Sequence, residues 1–557
     1  MSYENKVWYY YGKGIDSFGK NGEPEKEDIQ NPGPNEVLAR VDALALCASD
    51  NKMINMGNDF PLFNHRDFEK NPLVLGHELS LTVEKAGRNL EKHWKKGMRM
   101  GIQPDVYMNN IRYCIGVHVP GGMQHYILLK KSVFHSDHGA TAFEVNDDLS
   151  YSSVAQLEPN ACVEAAYRPW GRKHFNKKGT LLIYVGKQGD AGYIYDELLD
   201  HEEVILWSEG EIINQYPENT VRVHSLKEAK ELSPMGFSDV LIVGNAKQDV
   251  LENVIQSMKD TAVFCWLSDG ETNQQVRIDI AQVHYGKINW LGSKTKKLSD
   301  AFQRSRQRYE LKQDGNLLIM GGAGAMGRMH VMRALMQENG PQTIVVTARS
   351  NERLEALKKD FQEIAVKKQK RLEVVATNEA DWKEKLSNYT NSQGFDDVVV
   401  SAPGIDPVEK AVSFLKKDGM LILFSGTKHG SFVKIPLGYI PSYGARLNAS
   451  SGSSVEDEKS VLRKQLEHQI DLDKNVMAVA GFNYMKEAIK AVNEGRFPGK
   501  IIVYPHLDNL PLIDLRNPEG LPDSLKETLK NCGWGKQAEN ELFQYYKSQL
   551  INVKKET

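Results

Sequence analysis

Three short segments near the start of the chain carry side chains that suit metal chemistry. They are Cys47-Ala48-Ser49-Asp50, Gly76-His77-Glu78 and Leu157-Glu158-Pro159. A thiolate, an imidazole and a carboxylate are typical zinc ligands, and three protein ligands with one open position make a catalytic rather than a closed structural site. Asp50 is a candidate to orient the His77 ring through its second nitrogen. A single cysteine is usually a small buried hydrophobe, so the prediction of a zinc site rests on the combination.

A glycine-rich loop lies much further along the chain. The apolar run NLLIM (316–320) leads into Gly321-Gly322-Ala323-Gly324-Ala325-Met326-Gly327, and a segment with helical periodicity follows. Strand, G-x-G-x-x-G and helix is the arrangement in which glycines let the backbone approach a pyrophosphate at a helix N-terminus. A plain glycine-rich turn is the alternative. The motif predicts dinucleotide contacts at Gly322, Gly324, Ala325, Met326 and Gly327.

The end of the next apolar run bears on which dinucleotide is bound. TIVV is followed by Thr347-Ala348-Arg349-Ser350, with Arg353 one helical turn later. A ribose 2′-hydroxyl is normally held by an acidic residue here, whereas a 2′-phosphate is held by a nearby arginine. The carboxylate is missing, so Thr347, Arg349, Ser350 and Arg353 favour NADP(H) over NAD(H). Solvated surface arginines are the alternative interpretation.

The middle of the chain contains an internal repeat. Residues 236–268 align without a gap with residues 394–426, and GTLLIYVG (179–186) parallels GNLLIMGG (315–322). Downstream, VRIDI (276–280) parallels VKIPL (433–437). Two unrelated strand-helix units can look alike by chance, but the alignment keeps specific residues as well as hydrophobicity. We therefore expect two parallel-sheet domains of one fold.

The first copy has a different loop at the position of the glycine motif. It contains Gly186-Lys187-Gln188-Gly189-Asp190-Ala191-Gly192. Lys187 and Gln188 add bulk where a backbone should approach phosphates, and Asp190 adds a negative charge beside an anion. We expect a scaffold domain that has lost its cofactor, with a vestigial or different nucleotide site as the alternative.

These motifs together resemble the medium-chain, zinc-dependent alcohol and polyol dehydrogenases. The resemblance rests on C-x-[ST]-D, G-H-E and Glu-Pro ahead of the dinucleotide loop, and on Gly121-Gly122-Met123-Gln124-His125-Tyr126. It covers about residues 1–170 and 315–505. Within the family the chain is most similar to sorbose-1-phosphate reductase-type enzymes, through GFDDVVV (394–400), SSGSS (450–454) and WGKQAENEL (534–542).

The resemblance implies roles for individual residues. Cys47, His77 and Glu158 would bind zinc, and Glu78 would be a ligand or an alternate that exchanges with substrate or water. Ser49 would take the substrate's proton and pass it onward. The zinc would polarise a carbonyl or lower the pKa of an alcohol, while hydride passes to or from the nicotinamide.

The chain departs from the family pattern in several places. Lys52 stands where the family often has a histidine, and it would relay the proton, bind a substrate anion or be solvated. Between Gly97 and Gly121 the only cysteine is Cys114, so we expect one zinc and no structural zinc. The segment NHRDF (64–68) offers His65 and Arg66 as phosphate contacts, with a solvated loop as the simpler alternative.

Composition excludes several other protein classes. The chain has 557 residues and a formal net charge of −3, and 41% of its residues are hydrophobic. These values are typical of globular domains and argue against disorder or a nucleic-acid partner. The five cysteines are odd in number and widely spaced, which indicates a reducing compartment. No signal-type segment or 18-residue apolar run occurs, so we expect a cytoplasmic protein without a membrane partner.

The sequence therefore predicts an α/β protein of three domains. These are a GroES-like, mainly β catalytic domain (1–178 and 466–557), a degenerate Rossmann-like domain (179–314) and an NAD(P)-binding Rossmann domain (315–465). The predicted activity is hydride transfer between NADP(H) or NAD(H) and a polyol, a sugar or a sugar phosphate. A pseudoenzyme or binding module is one alternative, and a lyase or epimerase that oxidises its substrate transiently is another. We expect a small-molecule substrate and either a monomer or a homodimer.

Overall fold

Backbone contacts divide the chain into two compact units. The computed structural model describes residues 3–12, 14–63, 66–168, 172–197, 201–303 and 308–556. The first unit comprises Met1–Cys162, Gly324–Met329 and Ser453–Thr557, and the second comprises Val163–Ala323 and His330–Gly452. The domain limits expected from the sequence lie instead at 178, 314 and 465, and the division into three domains stays a prediction.

The N-terminal part of the first unit is rich in strands, as its alternation of short apolar runs and turn residues predicts. Its elements are β1 (Tyr3–Val7), β2 (Tyr9–Tyr10), β3 (Glu25–Ile29), β4 (Val37–Ala45), α1 (Ala48–Met56), β5 (Leu73–Val74), β6 (Glu78–Ala86), β7 (Arg99–Ile102), β8 (Asp105–Met108), β9 (Ile111–Cys114), β10 (Tyr126–Leu129), α2 (Lys131–Phe134), β11 (Ala142–Val145), α3 (Tyr151–Ala155) and α4 (Leu157–Ala165).

The second unit begins with a parallel sheet. Its elements are β12 (Thr180–Val185), β13 (Glu203–Ser208), β14 (Thr220–Val223), α5 (Leu226–Leu232), β15 (Phe237–Val243), α6 (Gln248–Ile255), β16 (Met258–Leu267), β17 (Val276–Asp279), α7 (Ile280–Tyr285), β18 (Asn289–Ser293) and α8 (Leu298–Phe302). The strand order is β14-β13-β12-β15-β16-β18. All six residues of the central strand β12 are buried, as expected for a parallel sheet covered on both faces.

A second parallel sheet follows, and its strands lie in the same unit, whereas the helix after its first strand begins in the first unit. Its elements are β19 (Asn316–Met320), α9 (Ala325–Met336), β20 (Thr343–Ala348), α10 (Asn351–Lys367), β21 (Arg371–Ala376), α11 (Trp382–Tyr389), β22 (Phe395–Val400), α12 (Ile405–Ser413), β23 (Leu415–Leu423), β24 (Phe432–Ile435), α13 (Tyr439–Tyr443) and β25 (Arg446–Ala449). The strand order, β21-β20-β19-β22-β23-β25, is the order of the first sheet. The prediction of two parallel sheets is confirmed.

The C-terminal part returns to the first unit. It contains α14 (Val455–Leu466), β26 (Val476–Gly481), α15 (Met485–Asn493), β27 (Lys500–Tyr504), β28 (Ile513–Asp514), α16 (Asp523–Cys532) and α17 (Lys536–Glu556). Its strands complete a sheet of order β11-β7-β6-β4-β27-β26-β28, in which β10 also pairs with β4. The sequence interpretation missed β26, because its short run VMAVAG carries no turn signal of its own.

Candidate metal centre and dinucleotide loop

Three neighbouring strands bring the predicted metal ligands together. Strand β4 pairs on one side with β6, where Ala45 lies opposite Glu78, and on the other side with β27, where Ala45 lies opposite Ile502. Because these pairs are antiparallel, the end of β4 lies beside the start of both partners. Cys47 follows the end of β4, His77 and Glu78 lie at the start of β6, and Lys500 begins β27.

The loop that carries His77 is fixed by a close backbone approach. The N–H of Gly122 donates to the carbonyl of Gly76 at 2.9 Å, and the N–H of Gly121 donates to Val74 at 2.8 Å. A Cβ atom at Gly121 would lie 2.3 Å from the Gly76 oxygen, which a real side chain cannot do. The Gly-Gly pair noted in the sequence is therefore required for the position of His77.

Cys47, His77 and Glu78 form a compact group of candidate ligands. One ligand atom from each lies within 4.8 Å of the other two, and no other group of this kind occurs in the part of the chain that the structure describes. Ligand atoms around a tetrahedral zinc are separated by roughly 3.5 Å, since zinc bonds are about 2.0–2.3 Å long. A sulfur, a nitrogen and an oxygen are donors that suit zinc, and their 4.8 Å limit is close enough for small side-chain rotations to reach this separation.

Helix α1 positions the residues beside the ligands. Its N-cap is Cys47, whose N–H donates to Asp50 Oδ2 at 3.1 Å. Asp50 Oδ1 lies 3.5 Å from His77 Nδ1, and Ser49 Oγ lies 3.4 Å from Nε2 of the same ring. Burial favours a lower pKa for His77, but Asp50 and Cys47 outweigh it and raise the pKa above its ordinary value. The imidazole thus turns one nitrogen to Asp50 and the other toward Ser49.

A lysine that the sequence analysis did not select lies against Glu78. Lys500 Nζ donates to both carboxylate oxygens of Glu78, at 2.6 and 2.7 Å. The two side chains are only 3% and 1% exposed. Burial disfavours a charged lysine, yet the attraction of Glu78 raises the pKa of Lys500 above its ordinary value. A lone Lys before the apolar run IIVY was the available signal, but its partner depends on strand pairing.

Glu158 lies outside the compact group, on helix α4. Its Oε1 accepts a hydrogen bond from Cys162 Sγ at 3.3 Å, one helical turn away. Burial raises the pKa of Glu158 to about 7, with Glu78 adding to the rise and His77 opposing it. Glu158 is therefore an electrostatic neighbour of Glu78 and His77.

A second carboxyl near Glu158 was not selected from the sequence. Glu458 on α14 is 1% exposed, and neither of its carboxyl oxygens has a hydrogen-bond partner. Burial, reinforced by Glu158, raises the pKa of Glu458 well above its ordinary value. The capping box Ser454–Asp457 starts this helix and was readable in the sequence, but which face of the helix is buried was not.

The roles expected for Lys52 and Arg66 stay predictions. Lys52 is exposed and borders a groove with Val492 and Asn493, and the described contact of Ser49 is His77 rather than Lys52. Arg66 donates to the carbonyls of Asn71 and Val117 at 2.7 and 3.3 Å, so its guanidinium holds its own loop. His65 lies outside the described residues.

The glycine-rich loop has the expected place between β19 and α9. The N–H groups of Gly321 and Gly322 donate to the Thr347 carbonyl at 2.9 and 3.0 Å. Gly321 has a φ of 79°, and a Cβ at Gly322 would lie 2.3 Å from Val346 Cγ1. Gly324 accepts the N–H of Arg328 at 2.9 Å, so Ala325, Met326 and Gly327 form the first turn of α9. The free N–H groups of a first helical turn favour an anion.

The residues expected at the ribose lie at the carboxyl end of β20, next to β19 in the sheet. Thr347 is buried and Arg349 is exposed. Ser350 Oγ accepts the N–H of Arg353 at 3.3 Å and caps α10. Ser350 thus has a structural role, while the guanidinium of Arg349 extends into solvent beside the strand end.

The chain has relatives among dehydrogenases. Residues 33–136 match the alcohol dehydrogenase GroES-like domain family. The sorbitol dehydrogenase of Pongo abelii is 33% identical over 141 residues, which cover 24% of this chain and 38% of that protein. The mannitol-1-phosphate 5-dehydrogenase of Aliivibrio fischeri is 28% identical over 250 residues, which cover 42% of this chain and 58% of that protein. The chain thus spans less than two thirds of the length of either relative.

Solved structures show the same fold. A zinc-binding dehydrogenase from Sinorhizobium meliloti 1021, solved with NADP, superposes with a TM-score of 0.52 at 14% identity, covering 90% of this chain and 100% of that one. The 2R,3R-butanediol dehydrogenase from Bacillus subtilis gives 0.52 at 14% identity, covering 90% and 99%. The GroES-like domain with Rossmann-like parallel sheets is therefore the fold of this chain. No helix in the described ranges is both long and apolar enough to cross a membrane.

Proposed function

We propose that this chain, a relative of the medium-chain zinc-type alcohol and polyol dehydrogenases, is a zinc-dependent oxidoreductase. It transfers hydride between NADP(H) or NAD(H) and the alcohol or ketone of a polyol or sugar, free or phosphorylated. The observation that carries the proposal is the group of Cys47, His77 and Glu78, whose ligand atoms lie within 4.8 Å of one another. The likeness to sorbose-1-phosphate reductase-type enzymes and a cytoplasmic location stay predictions.

The donor set supports zinc rather than a hard cation. Thiolate and imidazole ligands suit zinc, whereas magnesium and calcium take oxygen ligands. Cys47, His77 and Glu78 would hold the ion, and Glu158 would lie outside them as an exchangeable carboxyl. When bound, zinc supplies Lewis acidity, which polarises a carbonyl or eases deprotonation of an alcohol.

The chain's own residues would orient the reactants and hold the proton. Ser49 Oγ lies on the Nε2 side of His77 at 3.4 Å, so its hydroxyl is placed to accept a hydrogen bond from a substrate alcohol. Asp50 fixes the ring from the opposite nitrogen. Glu158, with a pKa raised to about 7 by burial, can hold or release a proton near neutral pH.

The buried carboxyl of Glu458 supports a hydroxyl-rich substrate. Its two oxygens lack hydrogen-bond partners in a position that is 1% exposed, and an unsatisfied buried polar group is costly. Hydroxyl groups of a polyol or sugar would supply the missing donors.

The dinucleotide would bind at the glycine loop, with NADP(H) favoured over NAD(H). Gly324 and the first turn of α9 would present backbone N–H groups to a pyrophosphate, while the N–H of Gly322 holds the loop on the Thr347 carbonyl. Arg349 and Arg353 would face a 2′-phosphate, which matches a bidentate guanidinium.

The test combines metal analysis with a substrate screen. Purified wild-type protein should contain one zinc per chain and should change NAD(P)H absorbance with polyols, sugars or their phosphates. Cys47→Ser should lose both zinc and turnover. Cys532→Ser, at an exposed cysteine, is the matched control and should keep both. Zinc content and turnover that survive in Cys47→Ser would overturn the proposal.

A further inference from the structure

The two parallel sheets of the second unit share more than strand order. In the first, pairing between β15 and β16 shifts register between Phe237 and Asp239. In the second, pairing between β22 and β23 shifts between Phe395 and Asp397. These are the positions that the sequence repeat aligns. The same irregularity at the same aligned residues is a feature that a generic parallel sheet does not require.

An ion pair between a partly exposed arginine and a buried aspartate also recurs. Arg172 donates to both carboxylate oxygens of Asp239, and Arg308 donates to Asp397. Asp239 and Asp397 are 1% and 0% exposed. Each arginine precedes the first strand of its sheet by the same number of residues, since β12 begins at Thr180 and β19 at Asn316.

The two sheets meet through corresponding segments that pair with each other. Strand β17 pairs antiparallel with β24, with Val276 opposite Ile435 and Ile278 opposite Val433. The sequence repeat equates Val276 with Val433, and Ile278 with Ile435. Val276 is thus paired with the counterpart of Ile278, and Ile278 with the counterpart of Val276. The pseudo-dyad passes through the opposed residues Arg277 and Lys434. This reciprocity defines an isologous contact, the type found in twofold dimers.

The helix that follows each of these strands packs on the edge of the opposite sheet. After β24, α13 packs on β18 of the first sheet, and after β17, α7 packs on β25 of the second. At the edges, Arg446 Nη1 donates to the Trp290 carbonyl at 3.0 Å. A single apolar cluster includes Trp290 from the first sheet and Leu447 from the second. Each sheet therefore covers the other's edge with the corresponding surface.

The first copy cannot take a dinucleotide in the way its counterpart would. Asp190 is fully buried, and its carboxylate accepts the N–H of Ile213 at 2.7 Å and the hydroxyl of Tyr216 at 2.8 Å. Within the described residues 186–197 no helix follows β12. The place of a pyrophosphate thus lacks a helix N-terminus and contains a buried carboxylate and its own loop.

We propose that the first Rossmann-like sheet is a built-in partner for the cofactor sheet. An interface of the kind found in twofold dimers is formed inside one chain. It joins the second sheet, which binds the dinucleotide, to the first sheet, which does not. Through this face the protein needs no second chain, and each chain binds a single dinucleotide. The stoichiometry rests on the proposed dinucleotide binding, whereas the pairing of the copies does not.

A cross-link across the pseudo-dyad tests the pairing without reference to activity. Arg277 and Lys434 are both exposed, and directly opposed strand residues have Cβ atoms about 4.5–5.5 Å apart. In a Cys532→Ser background, Arg277→Cys with Lys434→Cys should form a disulfide or a short bismaleimide link within one chain of 62.8 kDa. Arg277→Cys alone is the control and should form none.

Dilution of the protein distinguishes a link within one chain from a link between two chains. The fraction linked within one chain should stay constant over about 100-fold dilution, because an intramolecular contact does not follow mass action. Covalent dimers that fade on dilution, or an absence of any link, would overturn the proposal.

Calorimetric titration gives the second measurement. NADPH should bind at one site per chain, and Gly322→Val should remove that site entirely. Two sites, or binding that persists in Gly322→Val, would refute the loss of nucleotide in the first copy. A failure of both dinucleotides to bind, together with an intact cross-link, would overturn the proposed oxidoreductase while leaving the internal pairing established.

Discussion

Removal of Lys500 should show how far the group of Cys47, His77 and Glu78 depends on a buried ion pair. We choose Lys500→Met, which keeps an unbranched side chain of similar length and removes the ammonium. Lys500 Nζ lies 2.6 and 2.7 Å from the oxygens of Glu78, and both side chains are nearly inaccessible. The substitution leaves Glu78 buried without its cation. Breaking a buried pair in this way typically costs about 3–5 kcal/mol.

The loss of stability caused by Lys500→Met should depend on whether zinc is bound and on whether Glu78 is still charged. In metal-free protein we expect Lys500→Met to lower the opening free energy of the site by about 3–5 kcal/mol. Glu78→Gln combined with Lys500→Met should recover most of this loss, because no unpaired charge then remains. With zinc, the ion itself compensates the charge of Glu78, so the loss caused by Lys500→Met should shrink.

Hydrogen exchange measured by mass spectrometry is the assay, since it reports local opening in one unit of a larger protein. Peptides that cover β4, β6 and β27 should lose protection in Lys500→Met, and peptides from β12 should not. A loss below about 1 kcal/mol in the metal-free single variant would show that the pair contributes no more than a surface pair. A double variant as unstable as the single would refute the charge-pairing argument.

Three further predictions concern chemistry and pH. Ser49→Ala should retain zinc but lose about 10²–10⁴-fold in turnover, and an unchanged rate would remove the hydroxyl from the proton path. Arg349→Ala should weaken NADPH binding far more than NADH binding, and equal losses in a titration would contradict a 2′-phosphate contact. Hydrogen bonds from His125 and Lys6 overcome burial and lower the pKa of Asp508 to about 2. A depressed carboxyl pKa stabilises the fold above pH ~4, and this stabilisation is lost as the pH falls toward 2. Asp508→Asn should therefore lower the free energy of unfolding by about 1 kcal/mol near neutral pH, after allowance for partial exposure. At pH ~2 the substitution should lower it by almost nothing. Unfolding midpoints of the variant and of wild type, measured across this range, should converge at low pH.

Much of the fold was readable because its signals are local. The run NLLIM into the glycine motif sets a strand, a turn and a helix start within neighbouring residues, and the repeat predicts a second parallel sheet. Cys47 and Ser49, beside the Asp50 cap, are spaced so that one helix turn fixes their relative positions. Such features depend on backbone geometry and side-chain type, which a short stretch of sequence specifies.

Contacts between segments that are distant in the sequence could be known only from the tertiary structure. Lys500 reaches Glu78 only because β27 and β6 flank β4, and no spacing along the chain encodes that pairing. Burial raises the pKa values of Glu158 and Glu458, which lie on two helices far apart in the sequence. Arg66, in contrast, donates to the carbonyls of Asn71 and Val117. The sequence identified donor types and a repeated fold. Only strand pairing brought Cys47, His77 and Glu78 together and set β17 beside β24, because electrostatics and packing act through space.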